Sequence, residues 1–342
     1  MYKVGIIGAF AKGKSSLDGQ TVKTCSLSSL LKKELGDLDV FDVDTYGWKK
    51  NPFGVFCRII KACRHCDKII MLPAQNALHI IPMVAQITKR KESKLIYSVI
   101  GGWLPSMLQD KKYLGKPLQK LDSIWVETST MKCALEKQGF KNITIVNNFK
   151  KFKPVKVRMQ FSPPYRLCIF SRIMWQKGIE DAIKAIMEIN EKIGVTYMLD
   201  IYGMVDNGYK ERFSEICTEL PDYIKYCGCV NPSDASMILK EYFALLFPTR
   251  FYTEGIPGTI IDAYSASVPV ISSRWQSFND VIEEGKTGFG YRFGDYNALV
   301  LLLESLADNP STIISLRQNC LNKSYEYSEE YVGSKLLKLI FE

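Results

Sequence analysis

Tyr242-Phe243-Ala244-Leu245-Leu246-Phe247-Pro248, the segment Glu254-Gly255-Ile256-Pro257-Gly258-Thr259-Ile260-Ile261-Asp262, and then Val268-Pro269-Val270-Ile271-Ser272 together decide the fold. The first run is an apolar strand rich in aromatics. The middle one opens a helix over 257–267: Pro257 suits a first turn, and Ile260, Ile261, Tyr264 and Ala266 give it apolar faces. The third is again a short apolar strand. Strand, crossover helix and strand make a βαβ unit, which means parallel pairing.

The same alternation extends in both directions. Candidate strands lie at 2–8, 39–43, 68–72, 94–100, 122–127 and 143–146. A second series lies at 165–171, 196–202, 223–227, 243–248, 268–272 and 288–291, with a helical stretch such as 179–193 between strands. Between the two series, residues 149–164 carry three prolines and five basic residues and read as a linker. The expectation is an α/β protein of two Rossmann-like, doubly wound parallel-sheet domains, 1–155 and 156–327. A last helix, about 328–342, packs back on the first domain. Ligands of such sheets bind beyond the carboxyl ends of the strands, and two facing domains would form a cleft there.

The chain has 342 residues, 46% hydrophobic and 24% charged. That length suits two cores of about 150–170 residues, and the balance is that of a soluble globular protein. No stretch of about 18 uncharged apolar residues exists, so no membrane span is expected. Met1-Tyr2-Lys3-Val4-Gly5-Ile6-Ile7-Gly8 lacks a basic leader and reads as a first strand, which implies a cytoplasmic location. The ten cysteines then read as free thiols. Cys63-Arg64-His65-Cys66 has CxxC spacing, but no second pair follows and only one other histidine, His79, exists. No metal site is expected.

The segment 254–262 carries the first candidate chemistry. Glu254 stands before a helix N-terminus and Asp262 lies further along. Eight residues at about 1.5 Å each would place the carboxylates roughly 10–12 Å apart. A glycosidase pair needs about 5–9.5 Å, so these two do not flank one bond. They suit two grips on separate hydroxyl-bearing parts of one ligand. Free N–H groups near Gly255, Ile256, Gly258 and Thr259 would cradle phosphate or sugar oxygens. The plainer alternative is a capping Glu254 and a solvated Asp262. Upstream, Arg172 and Lys177 sit in a loop beyond another strand, where a fork and a point charge can neutralise a diphosphate.

Gly8-Ala9-Phe10-Ala11-Lys12-Gly13-Lys14-Ser15 matches G-x-x-x-x-G-K-S after a strand. A phosphate-binding loop needs a helix starting at its lysine. Here the loop continues and apolar periodicity begins only near Val22. A P-loop nucleotide hydrolase or kinase is therefore the minor alternative, beside a non-catalytic binding protein. A long loop still leaves Gly19 and Gln20 at the positive start of a helix, near a ligand.

With these segments in place, the chain resembles the retaining family 4 glycosyltransferases of the GT-B fold, collinearly over most of its length. Ser171-Arg172 to Lys177-Gly178 looks like G-R-x-x-x-x-K-G. Tyr202-Gly203 looks like the donor-side glycine turn, and Tyr226-Cys227-Gly228-Cys229-Val230 like F-x-G-x-V, which contacts the base. Phe247-Pro248-Thr249 with Glu254-Gly255 looks like P-S…E-G, and Glu254 and Asp262 fall on E-x7-E. Gly285-Lys286-Thr287-Gly288-Phe289 looks like E-x-G-x-x-G-x-L/F.

The resemblance implies a metal-independent hexosyltransferase that retains configuration and takes a nucleotide-sugar, UDP by family weight, with no cofactor. Lys177 and Arg172 would bind the diphosphate, Glu254 the donor sugar and Asp262 the ribose, with Gly255, Ile256, Pro257, Gly258, Thr259, Gly203 and Val230 around them. Asp262 is one methylene shorter than the family glutamate. Pro257-Gly258 departs from the commoner E-G-F-G-L-P. Ile100 stands where many members have a histidine, so Gly101, Gly102 and Trp103 would line the acceptor side. His79 is a further acceptor-side candidate, with a satisfied structural histidine as the plainer reading.

Charge is unevenly spread. Residues 1–155 hold 26 Lys and Arg against 12 Asp and Glu, and residues 156–342 hold 19 against 24. Residues 48–64 mix aromatics with cations, and Lys89, Arg90, Lys91, Lys94, Lys111, Lys112, Lys116 and Lys120 add more. This implies a first domain resting on an anionic membrane, at the inner face, with a glycan or lipid-linked acceptor in bacterial surface polysaccharide synthesis. No nucleic-acid motif is present, so no nucleic-acid partner is expected.

Overall fold

The computed structural model describes residues 2–11, 19–152, 155–232 and 234–341. The chain divides into two compact units, Met1–Lys150 with Glu329–Glu342, and Lys151–Ser328. Each is built on one six-stranded sheet, and every registered strand pair is parallel. All twelve strands expected from the sequence form.

The first unit begins β1 (Tyr2–Gly8), α1 (Gly19–Leu35), β2 (Val40–Asp44), α2 (Pro52–His65) and β3 (Cys66–Met71). It continues α3 (Ile81–Thr88), β4 (Lys94–Ser98), α4 (Leu104–Asp110) and α5 (Gly115–Gln119). Then come β5 (Ser123–Val126), α6 (Ser129–Glu136) and β6 (Ile143–Ile145). Strand order is β2-β1-β3-β4-β5-β6. Alternation along each strand divides the apolar side chains between two cores. Ile7, Ile69, Met71, Leu95, Tyr97 and Ile124 face the layer of α2 to α6. Ile6, Ile70, Ile96 and Trp125 face α1 and the last helix of the chain. That last helix is Glu329–Phe341; its Val332, Leu336 and Ile340 are buried there, and Lys33 pairs with Glu329 at 2.9 Å.

Local chemistry starts the helices where the sheet needs them. Asn51 Oδ1 accepts from Gly54 N at 2.9 Å and Pro52 takes the first position of α2. Thr128 Oγ1 accepts from Met131 N at 3.2 Å at the start of α6. α1 begins by Gly19, three residues before the Val22 expected from periodicity. The short polar residues 19–21 do not show in an apolar pattern. Lys12 to Asp18, including the Lys14 and Ser15 of the phosphate-loop match, lie outside the described residues.

The second unit runs β7 (Tyr165–Phe170), α7 (Ile179–Ile193), β8 (Tyr197–Tyr202), α8 (Lys210–Thr218) and β9 (Ile224–Tyr226). Next are α9 (Ala235–Leu239), β10 (Ala244–Phe247), α10 (Gly258–Ser265), β11 (Val270–Ser273) and α11 (Phe278–Val281). It ends β12 (Gly288–Tyr291), α12 (Tyr296–Asp308), α13 (Pro310–Ile314) and α14 (Arg317–Ser324), before the returning helix α15 (Glu329–Phe341). Strand order is β12-β11-β10-β7-β8-β9, so β7 and β10 are central neighbours although 73 residues separate the end of one from the start of the other (170 to 244). That adjacency puts the two motif-bearing loops side by side.

Candidate functional site

Beyond β7 the chain makes a single 3-10 turn, Trp175–Lys177, and enters α7 at Gly178. Gly178 has φ +69°, and a Cβ there would lie 1.9 Å from the Pro248 carbonyl oxygen at the end of β10. Only glycine permits this approach. A clamp holds the two loops together. Arg250 N donates to Gln176 O at 2.8 Å. The Arg250 guanidinium lies over the Trp175 ring and binds both Asp181 oxygens, at 2.8 and 2.6 Å.

The clamp brings Lys177 onto Glu254. Lys177 Nζ donates to Glu254 Oε1 at 2.5 Å, and each side chain is only 17% exposed. Thr249 Oγ1 donates to the same oxygen at 3.1 Å. The Phe251 and Phe247 rings lie 5.0 and 5.6 Å from the ammonium. Partial burial among aromatic faces strengthens such a pair relative to one in water. Glu254 is thus a partner of Lys177 and not a helix cap; α10 has no side-chain cap hydrogen bond.

Two details of the sequence reading change. Pro257 is the residue before α10, with extended backbone, and the helix starts at Gly258. Half of the span from Glu254 to Asp262 is therefore loop, and the helical rise used to separate the two carboxylates does not apply across it. Asp262 is half-buried on α10. Gly255 and Ile256 are buried in the preceding loop. The first turn of α10 leaves the Gly258 and Thr259 N–H groups without intrahelical partners. Thr259 Oγ1 is buried and has no hydrogen-bond partner among the described residues.

Arg172 goes elsewhere. Its guanidinium stands 3.6 Å from Asp206, both side chains more than a third exposed, which is a weak surface pair. Ile173 N donates to Met204 O and Asp206 N to Ile173 O, each at 2.9 Å, so this loop lies along the one after β8. Gly203 makes that possible. At φ +139° its Cβ would fall 1.7 Å from the Ser171 carbonyl oxygen. Gly203 N donates to Gly228 O at 2.8 Å and Tyr226 Oη to Gly203 O at 2.9 Å. The loops after β7, β8 and β9 are thereby joined, with half-buried Val230 just beyond.

The first unit's candidates are spread over several loops. Gly101 has φ +76°, a Cβ there would meet the Trp103 ring at 3.4 Å, and Trp103 Nε1 donates to Ile100 O at 2.7 Å. Gly102 is buried and Trp103 half-buried against the core. His79 is half-buried, its Nδ1 without a partner among the described residues, with its ring 6.4 Å from Tyr113. Gly19 is exposed, and Gln20 Nε2 is taken up by Leu72 O at 3.0 Å.

Two features escape sequence reading. Lys23 Nζ donates to Glu127 Oε1 at 2.5 Å and to Val99 O at 3.1 Å, both side chains almost wholly buried at the carboxyl ends of β4 and β5. Nothing local signals a pair 104 residues apart. Arg250 and Asp181, the clamp, carry no motif signal either. Cys63 and Cys66 are buried free thiols, and burial pushes the Cys66 thiol up to about 12. Among the described residues no three His, Cys, Asp or Glu side chains gather as metal ligands.

Two six-stranded parallel sheets with flanking helices, one per unit, are the GT-B architecture. The crystal structure of Anabaena Alr3699/HepE in complex with UDP and glucose superposes with a TM-score of 0.76 over 99% of both chains, at 12% identity. Residues 164–309 match the family model described as Glycosyl transferases group 1, so the family likeness lies in the second unit. The chain is 25% identical over 165 residues to the amylovoran biosynthesis glycosyltransferase AmsK of Erwinia amylovora, covering 47% of this chain and 40% of that protein. It is 26% identical over 170 residues to the alpha-galactosylglucosyldiacylglycerol synthase of Streptococcus pneumoniae, covering 47% and 41%. The chain thus spans about two fifths of the length of these curated relatives.

Proposed function

We propose that the chain is a retaining glycosyltransferase that moves a hexose from a nucleotide-sugar, UDP-linked by family weight, to a glycan or lipid-linked acceptor in the making of a bacterial surface polysaccharide. The observation that carries this reading is the Lys177–Glu254 contact, with Thr249 on the same carboxylate. The match of residues 164–309 to the group 1 family, which contains this contact, supports it.

In this reading the acceptor hydroxyl oxygen bonds to the anomeric carbon on the face the leaving group departs from. The bond from that carbon to the diphosphate oxygen breaks, the nucleoside diphosphate leaves with the electron pair, and the acceptor proton passes to it. Lys177 neutralises the charge that builds on the leaving diphosphate, where a preorganised cation has the largest effect, and Arg172 joins it by leaving its weak surface pair with Asp206. They take the place a metal holds in other transferases. The Gly258 and Thr259 N–H groups and the unpartnered Thr259 hydroxyl offer three more donors at the positive end of α10. Glu254 holds the donor sugar and Asp262 the ribose. Gly101, Gly102, Trp103 and His79 serve the acceptor, and the protein works in the cytoplasm.

The test is direct. Purified protein is offered a panel of nucleotide-sugars, and binding and transfer are measured. Saturable binding of one donor with transfer to a glycan or lipid-linked acceptor is expected, and Lys177→Ala and Glu254→Ala each lower transfer about a hundred- to a thousandfold. Failure to bind any nucleotide-sugar, or undiminished transfer by both variants, overturns the reading.

A further inference from the structure

The loops after β7 and β10 carry two large aromatic side chains that the fold leaves open. Trp175 and Tyr252 are each 53% exposed. Trp175 shares one 3-10 turn with Lys177, and Tyr252 stands two residues before Glu254. Neither ring hangs loose. The Arg250 guanidinium lies 4.7 Å from the Trp175 ring centroid and is itself fixed by both oxygens of Asp181. Tyr252 meets the Phe293 ring edge-on at 5.1 Å, and its carbonyl accepts from Gln276 N at 3.0 Å. On either side of Arg250 in the chain, Thr249 donates to Glu254 and the Phe251 ring lies against the Lys177 ammonium. One loop thus serves the Lys177–Glu254 pair and also backs an open ring next to it.

The guanidinium covers one face of the indole, so the open area lies on the other face and the edges. A ring already held flat loses little freedom when a ligand settles on it. Charge and polarity then select the ligand. The cation behind Trp175 is spent on Asp181, so a phosphate gains little at this ring and a neutral ligand fits better. An acyl chain needs a continuous apolar surface, and polar Gln176, Arg250 and Thr253 flank the two aromatics in the chain. A pyranose has one apolar C–H face, which an aromatic plane takes out of water, and hydroxyls around its rim. The half-buried Gln176 amide and the Tyr252 hydroxyl supply hydrogen-bonding groups for such a rim.

We propose that Trp175, backed by Arg250, and Tyr252 form a stacking subsite for a neutral pyranose ring of the acceptor, beside the Lys177–Glu254 pair. The acceptor is then recognised as a glycan, through a sugar ring adjoining the one that reacts. The role of the subsite rests on the transferase reading, but sugar binding is measured without any donor, so the two readings fail separately.

The full chain is titrated with methyl glucopyranoside, methyl galactopyranoside, methyl mannopyranoside, maltose, cellobiose and lactose, and binding is followed by saturation-transfer NMR. Saturable binding of at least one of these sugars is expected. Trp175→Ala and Tyr252→Ala each weaken it about tenfold, while Trp175→Tyr, which keeps a flat ring, retains most of it. In transfer assays the two alanine variants raise the acceptor KM by a similar factor, with donor Kd and the melting curve as in the parent. Unchanged sugar binding in both alanine variants overturns the proposal, and so does a parent that binds none of these sugars. Displacement of the bound sugar by uridine diphosphate, or loss of donor binding in the alanine variants, also overturns it, since either would put the donor on these rings. Sugar binding that depends on Trp175 in a chain that binds no nucleotide-sugar would uphold the subsite and overturn only the transferase reading.

Discussion

Lys177 Nζ and Glu254 Oε1 lie 2.5 Å apart, although 77 residues separate them in the chain. The contact exists because β7 and β10 are neighbours and because Gly178 lets one loop settle on the Pro248 carbonyl. Lys177→Ala and Glu254→Ala should each lower kcat/KM about a hundred- to a thousandfold. Each should cost only about 1 kcal/mol of stability, because the remaining partner is reached by water. Paired kinetic and urea-unfolding measurements separate the two effects; a loss of activity matched by an equal loss of folded protein would count against a role in the reaction.

Gly178 and Gly203 are predicted to be irreplaceable for steric reasons. Their Cβ atoms would stand 1.9 and 1.7 Å from backbone carbonyl oxygens, at positive φ. Gly178→Ala and Gly203→Ala should each destabilise by about 2–4 kcal/mol. Gly208→Ala is the control. Its Cβ would find its nearest neighbour at 3.6 Å, and its effect should stay within about 0.5 kcal/mol. Urea titration of the three variants reads the difference.

The buried Lys23–Glu127 pair makes a different prediction. Lys23→Met takes the buried ammonium away from the Glu127 carboxylate and should cost about 3–5 kcal/mol. Lys23→Met combined with Glu127→Leu removes both charges and should recover most of that loss. Additive losses in the double variant would show that the two side chains do not depend on each other.

Thiol labelling should sort the cysteines by burial. Cys57, Cys133 and Cys229 are exposed and should react first with an alkylating agent at about pH 8. Cys227 is exposed too, but desolvation of its sulfur raises the thiol pKa, so it should lag. Cys63, Cys66, Cys168 and Cys320 are buried with raised thiol pKa values and should react only after unfolding. Intact-mass time courses read this order. Early modification of Cys63 and Cys66 would show that the α2–β3 junction opens in the native protein.

The two sheets were legible because their signal is local. A run such as Ala244 to Phe247 is apolar and bounded by a turn, and twelve such runs with helical stretches between them leave little room for another architecture. Glu254, Lys177, Gly178 and Gly203 were legible as motif members, and the structure adds a reason for both glycines. The start of α1 was less visible, since Gly19, Gln20 and Thr21 carry no apolar period. The Glu254–Asp262 separation is not legible from helical rise, because the chain enters α10 only at Gly258 and the residues before it are loop.

The sequence by itself determined the strands, the division into two units, the excess of cations in the first, and the residue types at the loops of the second. Each of these is written in neighbours along the chain, through periodicity, turn residues and charge. Only the tertiary structure decided that Lys177 meets Glu254 while Arg172 turns to Asp206, that Lys23 is buried on Glu127, and that Arg250 backs the exposed Trp175 ring. Those outcomes depend on strand order and on how closely loops approach, and contacts between positions far apart in the chain have no local pattern to announce them.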